Sequence, residues 1–280
     1  MRIVLKMMVA AVLVTGCGAS PADDDEMRVV ATTPQLADFA RQLGGEGIEV
    51  EELLPANVDP HDFEPRPSDA EAIARADLVL RSGGEVDEWL DDLFESAGGD
   101  DDALLVVGEA IGAEGEDPHW WQDPRNAIRA VDAIAERLDA DPAPYVREIE
   151  ALDRAIARCM SAIPAERRKL VTNHDAFGWF ADRYGIEVLG SIIPGRSTSA
   201  RPSARDVREL VEAIRDEGVR TIFPETALDQ GLEEAVARDA GAAVGEPLYA
   251  DTLGDAGTYL GALRHDAAAM ARGFGGDCDL

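Results

Sequence analysis

Basic residues are scarce in this sequence. Its 280 residues include 56 aspartates and glutamates but only 26 lysines and arginines, so the formal net charge at pH 7 is −30. Proteins that bind nucleic acids use a basic surface to replace counterions along the phosphates, and this balance therefore argues against a nucleic-acid partner. An acid excess on this scale is typical of a highly soluble surface or of a salt-adapted source. The apolar content of 46% still leaves enough material for a core.

The N-terminus lacks an apolar run long enough to cross a membrane. Residues 7–14 are apolar and follow a basic start without acids, but a membrane span needs ~20 residues. A basic start, a short apolar run and then small residues form the layout of a signal peptide. We therefore expect a signal peptide over residues 1–16, followed by a small, polar and acidic tether over residues 17–27.

The end of this predicted signal, Val14-Thr15-Gly16-Cys17, resembles the lipobox of bacterial lipoproteins. In those proteins the signal is cut before the cysteine, and lipid is attached to the cysteine sulfur. The resemblance implies that the mature chain begins at Cys17, is lipid-anchored to the bacterial cell membrane and faces an extracytoplasmic space. The alternative is an ordinary secretory signal with an incidental cysteine.

Cysteine is also rare, with only three in the chain. Once Cys17 is assigned to the lipid, Cys159 and Cys278 remain, and they do not have the close spacing of a metal finger. In an oxidising compartment the two can form a disulfide. The sequence leaves that pairing open.

Strand-like apolar runs alternate with helical patterns along the whole chain. This alternation predicts parallel sheets with crossover helices, which is an α/β fold. The first half contains strand-like runs at 28–32, 48–54, 77–81 and 103–107. The second half repeats the scheme at 169–172, 187–191, 220–223 and 242–248. Helical patterns cover 35–43, 68–76, 86–97, 124–138, 176–184, 204–217, 231–240 and 258–272, and Ser68 is the predicted N-cap of the second of these.

Residues 142–164 separate the two halves. Their apolar residues recur at three- and four-residue spacing between bracketing prolines, which predicts one amphipathic helix. A helix of about 20 residues spans roughly 30 Å and acts as a stiff connector. We therefore expect two lobes, 28–141 and 165–280, each a mainly parallel four-stranded sheet flanked by helices, joined by one long rigid helix.

Only four histidines are present, and three of them follow strand-like runs. His61 and His119 both occur in an Asp-Pro-His tripeptide, and His174 follows the run 169–172. Each proline restricts its own φ and the conformation of the preceding aspartate, so the imidazole is carried on stiff backbone. Imidazole is the commonest metal-binding side chain, and open α/β sheets bind ligands at the carboxyl ends of their strands. The pattern predicts one metal site in the crevice between the lobes.

Four motifs are spread in order over almost the whole mature chain. They are Val58-Asp59-Pro60-His61-Asp62-Phe63-Glu64, Asp117-Pro118-His119-Trp120-Trp121-Gln122-Asp123-Pro124, Asn173-His174-Asp175-Ala176-Phe177-Gly178-Trp179-Phe180 and Tyr249-Ala250-Asp251-Thr252-Leu253-Gly254. Together they resemble the zinc- and manganese-type, or cluster A-I, substrate-binding lipoproteins of bacterial ABC transporters. The resemblance implies a monomeric, membrane-tethered protein that captures a divalent metal and delivers it to an ABC permease.

The resemblance also implies a set of ligands. His61, His119 and His174 take three positions, and Asp251 or water takes the fourth. Family members with histidine at the position of His174 are zinc-directed, whereas those with glutamate there are more often manganese-directed. Three imidazoles and one carboxylate suit a tetrahedral Zn²⁺ site, so Zn²⁺ is the expected cargo and Mn²⁺ or iron the alternative. Many zinc members carry a histidine-rich loop before the second ligand, but residues 109–117 are acidic and contain no histidine.

Other polar residues near these motifs have weaker patterns. Three acids lie close to the histidines in the sequence: Asp62, Asp123 and Asp175. Carboxylates of this kind orient metal-bound imidazoles. In so acidic a chain, however, the default expectation for each is an exposed surface position. Glu225 ends a strand-like run and is expected near the site but not as a ligand. His265 is expected on a solvated helix face.

Hydrolase motifs are absent from the sequence. It contains neither His-Glu-x-x-His nor Gly-x-Ser-x-Gly. An extracytoplasmic zinc hydrolase with Glu64 or Asp175 as general base is the alternative from a different class. A crevice that supplies all four ligands leaves no position for a substrate, so we expect a binding protein rather than an enzyme.

Because the connecting helix resists a wide hinge, we expect metal release through local movement of the loops of His174 and Asp251.

Overall fold

The computed structural model describes residues 26–280, with the exception of residues 114, 116, 229 and 279. The predicted signal peptide, Cys17 and nearly all of the predicted tether lie outside the described residues. The chain has the predicted α/β fold, with a four-stranded sheet before a long helix and two two-stranded sheets after it.

The first lobe is built on a four-stranded parallel sheet. Its strands are β1 (Met27–Ala31), β2 (Ile48–Glu52), β3 (Leu78–Arg81) and β4 (Leu104–Val106). Their order is β2-β1-β3-β4, and every pairing is parallel. In β1, Val29 and Ala31 pack into one apolar cluster while Val30 packs into another, so both faces of the sheet are covered. All four predicted strands of this half are confirmed, with slightly different ends.

Five α-helices surround this sheet in the described part of the lobe. They are α1 (Pro34–Gly44), α2 (Pro67–Ile73), α3 (Leu90–Ala97), α4 (Val107–Ala110) and α5 (Pro124–Leu138). The predicted N-cap of α2 is wrong, because Pro67 rather than Ser68 opens the helix, as suits a residue without an N–H. The backbone N–H of Arg66 donates to Asp69 Oδ2 at 2.6 Å. The acidic loop before His119 also begins with α4, which the sequence did not predict.

The connecting helix α6 (Ala143–Ala162) lies where the apolar spacing predicts it. Tyr145, Ile149, Ile156 and Met160 are buried along one face of the helix. This face packs against α5 of the first lobe.

The second lobe differs from the prediction in its sheet. Its strands are β5 (Lys169–Thr172), β6 (Glu187–Ser191), β7 (Thr221–Ile222) and β8 (Ala243–Val244), in two parallel pairs, β5-β6 and β7-β8. A single parallel bridge, Thr172 to Phe223, joins the pairs. Pro224 and Pro247 lack the N–H that a ladder needs, so β7 and β8 end early, and their pairing resumes only at the bridge between Glu225 and Leu248.

Four α-helices complete this lobe, as far as its residues are described. They are α7 (Gly178–Tyr184), α8 (Ala204–Asp216), α9 (Gly231–Ala240) and α10 (Tyr259–Gly273). The last helix does not stay within its own lobe, because α10 packs on α6 and also contacts α1.

The carboxylate of Asp38 in α1 joins three helices. It accepts hydrogen bonds from the Tyr145 hydroxyl at 3.1 Å and from the backbone N–H of Tyr259 at 2.8 Å. Asp38 is buried, so these charge-assisted bonds hold α1, α6 and α10 together. The lobes are therefore connected through packed helices as well as through the chain itself.

Cys159 and Cys278 form a disulfide, which answers the question that the sequence left open. It links the C-terminal part of α6 to the tail after α10, across a sequence separation of 119 residues. Among the helices of the described part, none combines the length and the apolar character that a membrane crossing requires.

We predict that the double substitution Cys159→Ala/Cys278→Ala lowers the free energy of unfolding by about 2–4 kcal/mol, because the disulfide closes a long loop in the unfolded chain. Urea unfolding of the metal-free protein, with and without a thiol reductant, measures this loss. The reductant should destabilise the unaltered protein and leave the variant unchanged. Equal stability of the two proteins without reductant would contradict the prediction.

Candidate metal centre

Three imidazoles and one carboxylate meet between the lobes. His61, His119, His174 and Asp251 each offer a ligand atom, and these atoms all lie within 4.8 Å of one another. His61 follows β2 and His119 follows α4 in the first lobe, whereas His174 follows β5 and Asp251 follows the β8 region in the second. The structure therefore brings together all four predicted side chains, at the carboxyl ends of the strands.

The distances within the cluster suit one small ion. The Nε2 atoms of His119 and His174 are 3.3 Å apart. The Asp251 carboxylate lies 3.3 Å from His174 Nε2 and 3.5 Å from His119 Nε2. Four donors arranged tetrahedrally at ~2.0–2.1 Å from Zn²⁺ are roughly 3.3 Å from each other. His61 Nε2 is more distant, at 3.9 Å from Asp251 Oδ2.

The repeated Asp-Pro-His tripeptide forms the same local turn twice. Asp59 Oδ1 accepts the backbone N–H of His61 at 2.9 Å, and Asp117 Oδ1 accepts the backbone N–H of His119 at 3.1 Å. An aspartate before proline is extended, which places its carboxylate over the N–H two residues later. The tripeptide thus fixes the direction in which each histidine leaves the chain.

Two carboxylates orient two of the imidazoles. Asp117 Oδ1 lies 2.8 Å from His119 Nδ1, and Glu225 Oε2 lies 2.7 Å from His174 Nδ1. A carboxylate at Nδ1 accepts its proton and leaves Nε2 free to coordinate, as is usual for metal-bound histidine. Glu225 is where the sequence predicts it, near the site but not in a ligand position. Asp117 was not singled out from the sequence, although its place in the Asp-Pro-His turn was the available signal.

The three acids that the sequence suggested as orienting groups do not contact the imidazoles of the cluster. Asp62 is exposed. Asp123 is buried and caps α5 through the N–H of Arg125 at 2.9 Å. Asp175 is half-buried and lies 3.8 Å from Arg196. The structure therefore gives none of these three the orienting contact that Asp117 and Glu225 make.

Burial and charge act in opposite directions on the acid of the cluster. Burial would raise the pKa of the Asp251 carboxyl, but the imidazoles, that of His174 first, outweigh burial and hold this pKa below its usual range. Burial lowers the pKa of the His61 imidazole, against the opposing charge of Asp251. The carboxylate therefore stays ionised, which is the form that coordinates a cation.

His174 responds differently because two carboxylates face it. Burial would lower the pKa of its imidazole, but Glu225 and Asp251 together raise that pKa well above the usual value. A protonated imidazole cannot coordinate, so an incoming metal ion has to displace this proton.

Aromatic residues lie beside the cluster histidines in the sequence, and the Trp121 ring contacts the His119 ring edge-on with centroids 5.5 Å apart. Trp120, Trp121, Phe177 and Phe180 are buried, whereas Trp179 is half-buried. The indole N–H of Trp121 donates to the Ala250 carbonyl at 3.0 Å, and the Gln122 amide donates to the same oxygen at 3.0 Å. These two bonds tie the loop of His119 to the loop of Asp251.

His265 lies outside the cluster, but the prediction of a solvated position is wrong. The residue is half-buried, and its ring stacks on Tyr249 with ring centroids 4.4 Å apart. Its Nε2 lies 2.9 Å from the Pro247 carbonyl oxygen. The helix face that carries it packs on the irregular segment after β8, which sequence periodicity could not indicate.

Fold and cluster together define a metal-binding substrate-binding protein of an ABC transporter. The chain belongs to the ZnuA family, described as the periplasmic component A of a zinc-uptake complex, whose family model matches residues 29–273. The predicted resemblance is thereby confirmed.

Named relatives in this family differ in their metal. The chain is 31% identical to the manganese-binding lipoprotein MntA of Bacillus subtilis, over 95% of this chain and 96% of MntA. It is 32% identical to the zinc-binding protein TroA of Treponema pallidum, over 90% of this chain and 91% of TroA. The iron-binding protein YfeA of Yersinia pestis is 28% identical over 91% of this chain and 89% of its own length.

Solved structures agree on the fold. The periplasmic zinc-binding protein TroA superposes with a TM-score of 0.81 at 28% identity, covering 89% of this chain and 99% of TroA. The Fe(III)-bound YtgA of Chlamydia trachomatis also gives a TM-score of 0.81, at 25% identity, covering 91% of this chain and all of YtgA.

We predict that Asp117→Asn and Glu225→Gln each weaken metal binding about 10- to 100-fold, because each imidazole loses the carboxylate that orients it. Asp62→Asn is the matched control, since Asp62 is an exposed neighbour of His61. Chelator-competition titration measures the affinities. Variants at Asp117 and Glu225 that bind as tightly as the Asp62 control would contradict the prediction.

Proposed function

We propose that this chain captures Zn²⁺ outside the cytoplasm and delivers it to the permease of an ABC transporter. His61, His119, His174 and Asp251 are the proposed ligands. The observation that carries this proposal is the convergence of three imidazole nitrogens and one ionised carboxylate at spacings suited to a tetrahedral ion.

The donor set favours zinc over manganese. Three nitrogen donors and one oxygen donor suit Zn²⁺, whereas Mn²⁺ prefers sites rich in oxygen. His174 is central to this choice because it supplies a nitrogen to the cluster from the second lobe. Glu225 contacts the Nδ1 atom of His174 and does not offer a carboxylate oxygen to the centre of the cluster.

Manganese is the second candidate cargo. Two relatives that align with nearly the whole chain, the MntA lipoproteins of Bacillus subtilis and Halalkalibacterium halodurans, are named manganese-binding. Geometry, ligand type and metal availability together decide which divalent metal occupies such a site, so the donor set alone does not fix the cargo.

We predict that the protein binds Zn²⁺ more tightly than Mn²⁺, and that His174→Glu narrows the difference by replacing a nitrogen donor with oxygen. Calorimetric competition between the two ions, together with elemental analysis of the purified protein, measures the preference. Mn²⁺ binding as tight as Zn²⁺ binding in the unaltered protein would refute the zinc assignment and leave the manganese proposal.

We predict that metal raises the melting temperature, because it binds only the folded chain, with a stabilisation of about 2.7 kcal/mol when free metal is 100 times the dissociation constant. His61→Ala and His119→Ala should each remove most of this rise. His265→Ala is the control, and it should lower the melting temperature of the metal-free protein through its lost stacking yet keep the metal-induced rise. A rise that survives His119→Ala would place the metal elsewhere.

The membrane tether is part of the same proposal. Val14-Thr15-Gly16-Cys17 resembles a lipobox, and relatives such as MntA of Bacillus subtilis are named lipoproteins. We infer lipid attachment at Cys17, with the metal-binding lobes held at the outer surface of the membrane beside the permease.

We predict that Cys17→Ser releases the protein from the membrane fraction, because the serine hydroxyl does not replace the lipid-bearing sulfur. Cell fractionation and immunoblotting measure the distribution. Cys159→Ala, which breaks only the disulfide, should stay with the membrane. If Cys17→Ser stays in the membrane fraction like the unaltered protein, the assignment of lipid attachment at Cys17 is contradicted.

A hydrolase gains no support from the relatives, which are named as metal-binding proteins and transporter components. Its suggested general bases are also poorly placed, because Glu64 is exposed and Asp175 lies beside Arg196. We therefore retain the transport function alone.

A further inference from the structure

His61 is held differently from the other two imidazoles of the cluster. Its side chain is only 1% exposed, yet neither ring nitrogen has a hydrogen-bond partner within the described part of the chain. His119 and His174 each have a carboxylate at Nδ1. The His61 ring therefore depends on its backbone for its position.

That backbone has few connections of its own. We use the name His61 loop for residues 55–62. Sheet pairing ends before it, where the N–H of Leu53 donates to the Ala31 carbonyl at 3.0 Å. Among the described residues, its backbone-to-backbone bonds are local, from Val58 to Pro55 and from Asp62 to Asp59.

Among the residues that the structure describes, two side-chain hydrogen bonds hold the His61 loop to the second lobe. The Thr198 hydroxyl donates to Asp59 Oδ2 at 2.5 Å, and the Thr252 hydroxyl donates to Asn57 Oδ1 at 3.0 Å. The other oxygen of Asp59 accepts the N–H of His61, so one carboxylate joins Thr198 to the backbone of the histidine. Thr252 follows Asp251 directly, which joins the second bond to the acid of the cluster.

The local structure on both sides favours the hydrogen bond between Thr252 and Asn57. The Thr252 hydroxyl oxygen accepts the N–H of Gly254 at 2.7 Å, so its single hydrogen is available for Asn57. Asn57 has a φ of 60°, a left-handed conformation that asparagine tolerates better than most residues. The loop is thus shaped to present an acceptor to Thr252.

The loop of His174 is anchored within its own lobe. The N–H of Ile193 donates to the Asn173 carbonyl at 2.7 Å, and the N–H of Asp175 donates to the Gly195 carbonyl at 3.0 Å. The Thr172 hydroxyl donates to the His174 carbonyl at 2.7 Å. Moving the loop of His174 breaks more hydrogen bonds than moving the His61 loop. The sequence led us to expect metal release through the loops of His174 and Asp251, whereas these bonds favour movement of the His61 loop.

We propose that Asn57, Asp59, Thr198 and Thr252 are positioning residues that control metal release through the His61 loop. This inference rests on the proposed metal-binding function. Breaking the two inter-lobe bonds withdraws His61 and leaves the ion on His119, His174 and Asp251 with one coordination position open. The lobes need not rotate for this step.

The rate of metal release tests the proposal. Zn²⁺-loaded protein is mixed with an excess of a chromophoric chelator in a stopped-flow instrument. Thr198→Val and Asn57→Gly should each release Zn²⁺ roughly three- to tenfold faster, since a hydrogen bond contributes about 0.5–1.5 kcal/mol and 1.4 kcal/mol is tenfold. Asn57→Gly removes one bond without disturbing the bond between Thr252 and Gly254.

Conservative variants separate positioning from a general loss of structure. Thr198→Ser keeps the hydroxyl and Asn57→Asp keeps an acceptor oxygen, so both should release Zn²⁺ at nearly the unaltered rate. Thr221→Val is the matched control, because its hydroxyl bonds to the Gly273 carbonyl at the opposite end of the second-lobe strands. Release from Thr198→Val and Asn57→Gly at the rate of this control would overturn the proposal.

Failure of the proposed function gives a different result. If the unaltered protein binds neither Zn²⁺ nor Mn²⁺, the metal-transport proposal fails and the release proposal falls with it. If it binds metal and the variants release metal at the unaltered rate, only the role of the His61 loop is refuted.

Amide hydrogen exchange locates the movement. In the Zn²⁺-loaded protein, Thr198→Val and Asn57→Gly should speed exchange within residues 57–62 and leave residues 173–177 unchanged. Faster exchange confined to residues 173–177 would overturn the proposal in favour of movement at the loop of His174.

Discussion

The structure depends on one electrostatic constraint, which is the presence of an ionised carboxylate among three buried imidazoles. Asp251 is 5% exposed, and burial alone would favour its neutral form. The imidazoles reverse this preference and hold its pKa low. Such an arrangement is stable only when every partner is placed accurately, because an unpaired buried charge costs several kcal/mol. Sheet edges, stiff turns and orienting acids all serve that placement.

Two kinds of constraint fix the positions of the imidazole rings. Proline restricts the backbone at His61 and His119, so each ring leaves the chain in a fixed direction. Carboxylates then fix the rings of His119 and His174 through Nδ1, which leaves each Nε2 facing Asp251. His61 has only the first of these constraints. The His61 ring is therefore the least constrained of the three.

The packed helices limit what the lobes can do. Asp38 joins α1, α6 and α10, and the Tyr259 hydroxyl donates to the Trp121 carbonyl at 2.8 Å. The loops of His119 and Asp251 are tied together through Ala250. Wide opening about α6 would break these contacts, and loop movement is the smaller change.

The sequence by itself predicted the helices and strands with strong periodicity, the three histidines of the proposed site and the turns that carry His61 and His119. These features depend on neighbours a few residues away, such as Asp117 beside His119. Asp251 was expected only from the family resemblance, with water as the alternative. Tertiary structure alone decided that Glu225 orients His174, that Cys159 pairs with Cys278 and that Thr198 holds Asp59. The last contact joins residues 139 positions apart. Local turn chemistry acts along the chain, whereas such pairs depend on how strands are ordered and lobes packed, which no local pattern encodes.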